Sequence, residues 1–334
     1  MTGSSLDRLL ALLLAAQLAT GLLSLRAGAA YTAPLFVAHS VLAGALLGAV
    51  ILKLARSVPK AIRTRRWAAL ALGLLLGSAA LGALAGGFAW VASGRILSLG
   101  PFSVLTLHVL AALVLVPILV VHLSPARWRR IPLPRRQQGR PAISRRTALG
   151  TVALAGLGAA AWMGASTVER LLGGSRRFTG SRWLPDGGVP PPTTFFGEST
   201  EPLDLGTWQL TVSGSVERLL ALSLDELLAL GADTRDEVLD CTGGWVLRTS
   251  WTGVSLARVL DLARPVAGAG YATIRSVTGW YARMPLPEAR RALLATAVAG
   301  RPLPHGNGAP CRLVAPDRRG LEWVKWVTEI AVSA

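Results

Sequence analysis

Cys241 sits in the run Asp240-Cys-Thr-Gly-Gly-Trp245, where the glycines leave its sulfur open to a bulky partner with no Cβ in the way. As a thiolate, such a sulfur is a soft ligand suited to a soft metal. The other cysteine, Cys311, belongs to Leu303-Pro-His-Gly-Asn-Gly-Ala-Pro-Cys-Arg312. Either the two stay apart, with Cys311 packed as a small hydrophobe, or they close a disulfide, which is permitted outside the cytoplasm. The chain has four histidines, and three of them, His39, His108 and His122, fall in long apolar stretches. A ligating group at membrane depth marks function by default. Two imidazoles at one depth can hold a haem iron from opposite sides, or else make polar contacts between helices.

The elements that must position these residues differ sharply between the two halves. Of 334 residues, 35 are Lys or Arg and 18 are Asp or Glu, a net charge of +17. Up to Val168 the one acid is Asp7, set against 17 basic residues; from Glu169 onward 18 basic residues meet 17 acids. Such a basic chain would ordinarily point to nucleic acid, but here the charge lies between apolar segments, so no nucleic-acid partner is expected. Five uncharged stretches, Leu9–Leu25, Pro34–Leu52, Trp67–Gly94, Leu97–Leu123 and Thr147–Val168, are long enough, or nearly so, to cross a bilayer. Lys53, Arg56, Lys60, Arg63, Arg65 and Arg66 follow the second stretch, and eight arginines from Arg127 to Arg146 separate the fourth from the fifth. The alternate loops hold Arg26 and Arg95 alone, which places the N-terminus inside and everything after the fifth span outside. The second and fourth spans then run the same way, with His39 and His108 each a few residues from the outer end.

This supports one outer haem b on His39 and His108. His122 follows His108 by 14 residues, on the same helix face about 21 Å along the axis, and that spacing resembles the two-haem ladder of membrane cytochrome b proteins. Lys53 occupies the position 14 after His39, so a second haem on His122 lacks a partner. Ser144-Arg-Arg-Thr-Ala-Leu149 before the fifth span resembles a twin-arginine export signal, the route that carries folded, cofactor-loaded proteins; two positive-inside arginines are the plainer reading. The expected division is a bundle over 1–125, a cytoplasmic basic loop over 126–146, an anchoring span over 147–168, a linker over 169–193 and a catalytic domain over 194–334.

After the Pro- and Gly-rich Leu184–Pro192, the pattern predicts an α+β domain with mixed sheets. Strands are expected at Trp208–Ser213, ending at Val238–Cys241, at Tyr271–Val277 and at Arg312–Ala315. Short helices are expected from Ser223-Leu-Asp-Glu226, a capping box, from Ser255 to about Ala263, and near Pro287–Ala295. No GxGxxG fingerprint is present.

The cysteine run, with Trp251-Thr-Gly-Val254, the Leu303–Arg312 motif and Trp323-Val-Lys-Trp326, resembles the sulfite-oxidase superfamily of molybdopterin enzymes over roughly residues 190–334. The resemblance implies Mo-molybdopterin, with Cys241 as thiolate ligand to molybdenum. On the pattern of that superfamily's methionine sulfoxide reductase branch, it implies cofactor contacts from Asn307, Arg312 and Lys325, with Trp323 and Val324 beside them, from Ser276 and His305, and from Thr194 where relatives carry asparagine. Gly197-Glu198 departs from the pattern, so contacts from that segment are in doubt. Substrate contacts are expected from Trp245, Arg248, Trp280, Tyr281 and Arg283. Gly244-Trp245 stands where sulfite-oxidising relatives carry Asn-Arg, which favours reduction of an S- or N-oxide. Sulfite or another small-molecule oxidation, and an inactive anchored binding or assembly module, are the alternatives. The partners expected are the lipid bilayer, a small-molecule substrate, and a quinol, quinone or redox protein.

Overall fold

The computed structural model describes residues 3–122, 145–194 and 197–334. The basic loop expected over 126–146 lies outside the described residues, apart from Arg145 and Arg146. Two compact units emerge, one of residues Met1–Ser24 and Tyr31–Gly180, the other of Leu25–Ala30 and Ser181–Ala334.

The first unit contains five helices long and apolar enough to cross a membrane. They are α1 (Gly3–Ser24), α2 (Ala33–Arg63), α3 (Trp67–Ala92), α4 (Val104–His122) and α5 (Arg145–Leu171). Pro34 suits the first turn of α2, where its missing N–H costs nothing. The helix then runs well past the apolar stretch, through the cationic residues to Arg63. Lys53, at the position where a second haem ligand would stand, donates to Asp7 of α1 at 2.5 Å. Helix α2 packs on α5 through small residues, the usual way helices approach closely in lipid. Gly158 of α5 lies so near α2 that a Cβ there would stand 2.1 Å from the Val41 carbonyl oxygen. The fourth helix starts later than the sequence predicts. Ser98–Leu99 (β1) and Phe102–Ser103 (β2) form a small antiparallel ladder around Gly100-Pro101, because Gly100 takes φ +61° and proline cannot continue a helix backwards from there.

The second unit is α+β with two mixed sheets. One is ordered β5 (Leu220–Ser223), β4 (Gln209–Gly214), β13 (Val327–Ser333), β8 (Tyr271–Ser276), β9 (Tyr281–Pro285), with β13 and β4 parallel. In the other, β7 (Trp245–Ser255) pairs with β6 (Asp233–Asp240), with β10 (Leu293–Val298) and in parallel with β3 (Arg182–Trp183). Strand β10 also pairs with β11 (Arg301–Pro302) and β12 (Arg312–Val314). Trp251, Leu256, Leu260, Ile274, Leu294, Trp323 and Ile330 belong to the one core between them.

Ser223 caps α6 (Leu224–Ala229) in a full capping box with Glu226. Ser255 precedes α7 (Leu256–Ala263), but its hydroxyl makes no cap hydrogen bond. The helix expected over 287–295 is confined to α8 (Leu286–Ala289). Leu293-Leu-Ala-Thr-Ala-Val298 becomes a central strand, since a short apolar run buried between two neighbours carries no period that separates strand from helix.

Candidate functional site

The cysteine lies on the β6–β7 hairpin, whose ladder closes at Asp240 opposite Val246. Cys241 N–H donates to the Trp245 carbonyl at 2.9 Å and Gly244 N–H returns to the Cys241 carbonyl at 3.0 Å. Gly244 takes φ +105°, a conformation that L side chains rarely adopt. The half-buried sulfur accepts the Gly243 N–H at 3.3 Å. Burial pushes the Cys241 thiol up, opposed by that N–H and by the Arg319 and Arg312 cations. Cys241 and Cys311 are both free thiols, so the disulfide alternative is not formed. Cys311 is fully buried, and burial pushes its thiol up to about 12, as expected of a packing residue.

Two cations gather beside this turn. Arg312, on β12, is 4% exposed; one guanidinium nitrogen donates to the Asn307 carbonyl at 3.0 Å, and the group stands 5.5 Å from the Trp251 ring centre and 5.9 Å from that of Trp323. Its Nε is buried with no hydrogen-bond partner among the described residues. Lys325, 7% exposed, donates to the carbonyls of Thr193 at 3.0 Å and Gly306 at 2.6 Å. Among the described residues neither cation has a carboxylate within ion-pair distance. Desolvation lowers Arg312 to about 10, opposed by the charges of Cys241 and Glu198, and lowers Lys325 to about 8, aided by Arg312 and opposed by Glu198 and Cys241.

Their seat is the short 3-10 turn His305–Asn307. Asn307 Nδ2 donates to the Pro190 carbonyl at 2.9 Å, His305 Nε2 lies 2.8 Å from the Thr200 carbonyl oxygen, and Trp326 Nε1 donates to the His305 carbonyl at 3.0 Å. Gly308 closes the turn at φ +109°, and a Cβ there would lie 2.9 Å from the Lys325 Cα.

Thr193, which the sequence reading passed over in favour of Thr194, belongs to the cluster. Besides receiving Lys325, it accepts the Trp245 indole N–H on its hydroxyl at 3.0 Å. Trp245 is thereby a buried wall of the site. Ser276 ends β8 beside it, since the next residue, Val277, donates to the Trp326 carbonyl. The Ser276 hydroxyl accepts from Thr278, which also donates to Glu198. Trp323 and Val324 are core residues flanking Arg312 and Lys325, and the Val324 carbonyl accepts from Leu313. The other expected contacts have partners of their own, and the Trp280 carbonyl accepts the Ser276 N–H at 2.8 Å. Tyr281 is exposed with Arg275 5.3 Å from its ring centre, and Arg283 stands over Tyr271 at 4.1 Å toward the chain end, away from Ser276 along β9. Trp280 donates to the Leu321 carbonyl, and Arg248 lines an open depression of about 650 Å³ with Trp183, Leu184 and Asp186.

In the helical unit, His39 and His108 come together with ring centres 6.2 Å apart and planes at 85°. His108 Nδ1 lies 2.7 Å from the Ala83 carbonyl oxygen, which fixes that nitrogen as the N–H and leaves Nε2 as a lone-pair donor. His39 has Thr20 Oγ1 at 2.9 Å from Nδ1 and Gln17 Nε2 at 3.1 Å from Nε2. Gly21 and Gly87 face the two rings, where a Cβ would stand 3.3 and 3.2 Å from ring atoms. His122 is the last residue of α4.

A family model described as oxidoreductase molybdopterin binding domain matches residues 198–334. The uncharacterized oxidoreductase YuiH of Bacillus subtilis is 30% identical over 155 residues, 43% of this chain and 78% of that protein. This chain belongs to the molybdopterin-binding oxidoreductase family. The protein-methionine-sulfoxide reductase catalytic subunit MsrP of Xanthomonas campestris is 36% identical over 151 residues, and that of Xanthomonas axonopodis 35%. The chain spans about half the length of these curated relatives, 47% of each, using 40% of its own. The sulfane dehydrogenase SoxCD from Paracoccus pantotrophus is similar at a TM-score of 0.38 with 22% identity, over 39% of each chain.

The residues present fit the family's cofactor. A molybdopterin carries a phosphate, and phosphate calls for guanidinium, ammonium and main-chain N–H donors. Arg312 and Lys325 are buried cations of that kind; both feel the charge of Glu198, and among the described residues no carboxylate lies within ion-pair distance of either. Among the described residues no group of three or more His, Cys, Asp or Glu could hold a bare ion.

Proposed function

We propose that the chain is a membrane-anchored molybdenum oxidoreductase that reduces an S- or N-oxide at its C-terminal unit, with electrons supplied through a haem b in the helical unit. The observation that carries this reading is the pair of buried cations, Arg312 and Lys325, with no carboxylate among the described residues within ion-pair distance, beside a half-buried thiol. In this reading Cys241 gives its sulfur to the metal, Arg312 and Lys325 neutralise the phosphate, and Asn307 and the turn His305–Gly308 shape the seat. When bound, the cofactor supplies two-electron transfer of an oxo group. Thr193 holds the buried Trp245 indole in place on the side of the cysteine turn, and placement and electrostatics are the protein's share of such chemistry. Reduction rather than oxidation is supported by Gly244-Trp245 after the cysteine and by the likeness to MsrP, whose name states sulfoxide reduction.

The haem reading is supported by the histidine pair. His39 and His108, which the helices bring together with ring centres 6.2 Å apart, would hold the iron of such a group. The Ala83 carbonyl holds His108 in the ligating tautomer; His39 would exchange its contact with Gln17 for the metal. The five apolar helices serve as anchor in a cytoplasmic membrane. On this reading the N-terminus is inside, the catalytic unit is extracytoplasmic after export on the Arg145-Arg146 signal, and a quinol or redox protein is the donor.

The test is the full-length chain extracted from membranes. It should contain molybdenum and a Soret band, and reduce methionine sulfoxide with reduced viologen as donor. Cys241→Ala should lose at least about a hundredfold of that activity, and His39→Ala or His108→Ala should lose the Soret band while viologen-driven activity persists. Wild-type protein without molybdenum contradicts the enzymatic reading; molybdenum without haem reduces the helical unit to an anchor.

A further inference from the structure

The cysteine turn is held from beneath by a buried polar lattice that ties Asp240 and Cys241 to Ser181 and Arg319, which lie outside the cysteine run and the cofactor seat. One guanidinium nitrogen of Arg319 stands 3.1 Å from Asp240 Oδ1, 3.1 Å from Ser181 Oγ and 3.2 Å from the carbonyl oxygen of Cys241 itself. Ser181 Oγ donates to Asp240 Oδ1 at 2.6 Å. Asp240 and Ser181 are fully buried and Arg319 is 3% exposed. Gly320 adds a steric register, for a Cβ there would lie 3.2 Å from the Asp240 carbonyl oxygen and from the Cys241 Cα.

The segment that carries Arg319 is pinned in turn. Ala27 forms an antiparallel bridge with Arg318, and a Cβ at Gly28 would stand 2.7 Å from the Asp317 carbonyl oxygen and 3.0 Å from Arg319 N. A charged, water-excluded hydrogen-bond network of this kind has one low-energy arrangement and resists distortion.

We propose that Arg319 is a positioning residue that fixes the direction of the Cys241 sulfur, by clamping the carbonyl of Cys241 and the carboxylate of Asp240 to Ser181. The proposal rests on the reading of Cys241 as metal ligand, and it assigns to this chain the role of orienting that ligand through its backbone. A ligand's orienting partners commonly matter nearly as much as the ligand.

The variants that test it keep the net charge at the turn unchanged. Arg319→Lys retains the cation on a shorter, tetrahedral head that cannot place its donor where the guanidinium nitrogen stands. The double change Arg319→Met with Asp240→Asn removes both charges together, so no buried ion is left alone. Gly28→Val displaces the 317–319 segment without touching either charge. Each full-length variant is made in cells unable to synthesise molybdopterin, and iodoacetamide capture of Cys241 is timed by mass spectrometry against the buried Cys311. Capture at least about tenfold faster than in the wild type is expected, together with splitting or displacement of the Mo(V) electron paramagnetic resonance signal when the same variants are made with cofactor. Wild-type capture rates and an unchanged signal in all three overturn the positioning role. If wild-type protein made with cofactor holds no molybdenum, the enzymatic reading falls, while the capture rates still decide whether Arg319 fixes the turn. A variant that does not fold is replaced by Ser181→Ala, which removes one strut, and for which the same two outcomes apply.

Discussion

Arg312 and Arg318 are six residues apart in one segment, and their surroundings are opposite. Arg318 sits between two carboxylates: its Nε and one terminal nitrogen donate to Glu288 at 2.8 Å, and another nitrogen pairs with Glu322. Its guanidinium is held above the ordinary range by Glu288 first, and Glu288 is held below the usual carboxylate range by Arg318. Glu322 is raised by burial, with Arg318 opposing. Arg312 has a carbonyl, two indole faces and an unpartnered Nε. The first arrangement is complete and serves the fold. The second, repeated at Lys325, leaves a buried cation with no carboxylate within ion-pair distance among the described residues.

Arg318→Met should break that contrast most visibly. It strands Glu288 and Glu322 and should cost about 3 kcal/mol, discounting a fully buried pair for the partial exposure here, read from chemical denaturation of the cofactor-free chain. Arg312→Met in the same assay should leave stability unchanged or raised, while lowering molybdenum retention at least about tenfold. Equal losses for the two would erase the distinction.

A pH series sharpens it. The lysine at 325 titrates at about 8 when folded, below its ordinary 10.5, so between those values the unfolded chain binds more protons than the folded one. Stability of the cofactor-free protein should therefore rise with pH across that window, by up to about 3 kcal/mol, and be depressed in full below it. Lys325→Met should flatten the slope. Glu288 behaves in the opposite sense, its contribution being present above the ordinary carboxylate range and lost as the solution is acidified through its lowered value.

Smaller effects are expected at the frame of the seat. Gly308→Ala forces a side chain onto φ +109° and against the Lys325 Cα, and should cost about 2 kcal/mol. Thr193→Val removes the acceptor of the Trp245 indole and should cost about 1 kcal/mol. In both, thermal midpoint measurements on the full chain carry the comparison, and a Thr193→Val loss larger than that of Gly308→Ala would reverse the order.

Much of this was legible in the residues. Cys241 announced itself because glycines after a strand end make a turn that presents a sulfur, and the α+β alternation followed from period-two runs such as Gln209–Gly214, whose Leu210 and Val212 point inward. His39 and His108 could be paired from span direction and depth alone. Thr193 and Arg319 could not, because their partners lie 52 and 78 or more positions away and neither residue carries a local signal. Tyr281 and Arg283 are expected at the cysteine as part of a turn facing it, yet they lie on β9, along which they run from Arg275 toward Tyr271 and the chain end. The strand at Leu293–Val298 was hidden because continuous burial erases periodicity.

The central claim is that Arg312 and Lys325 hold an anionic molybdenum cofactor at Cys241. It is tested most directly by metal and pterin analysis of the purified full-length protein beside the Arg312→Met, Lys325→Met double variant. About one molybdenum and one pterin per wild-type chain, and almost none in a double variant of unchanged circular dichroism, is the expected result. Wild-type protein without molybdenum, or a double variant that retains it in full, would contradict it.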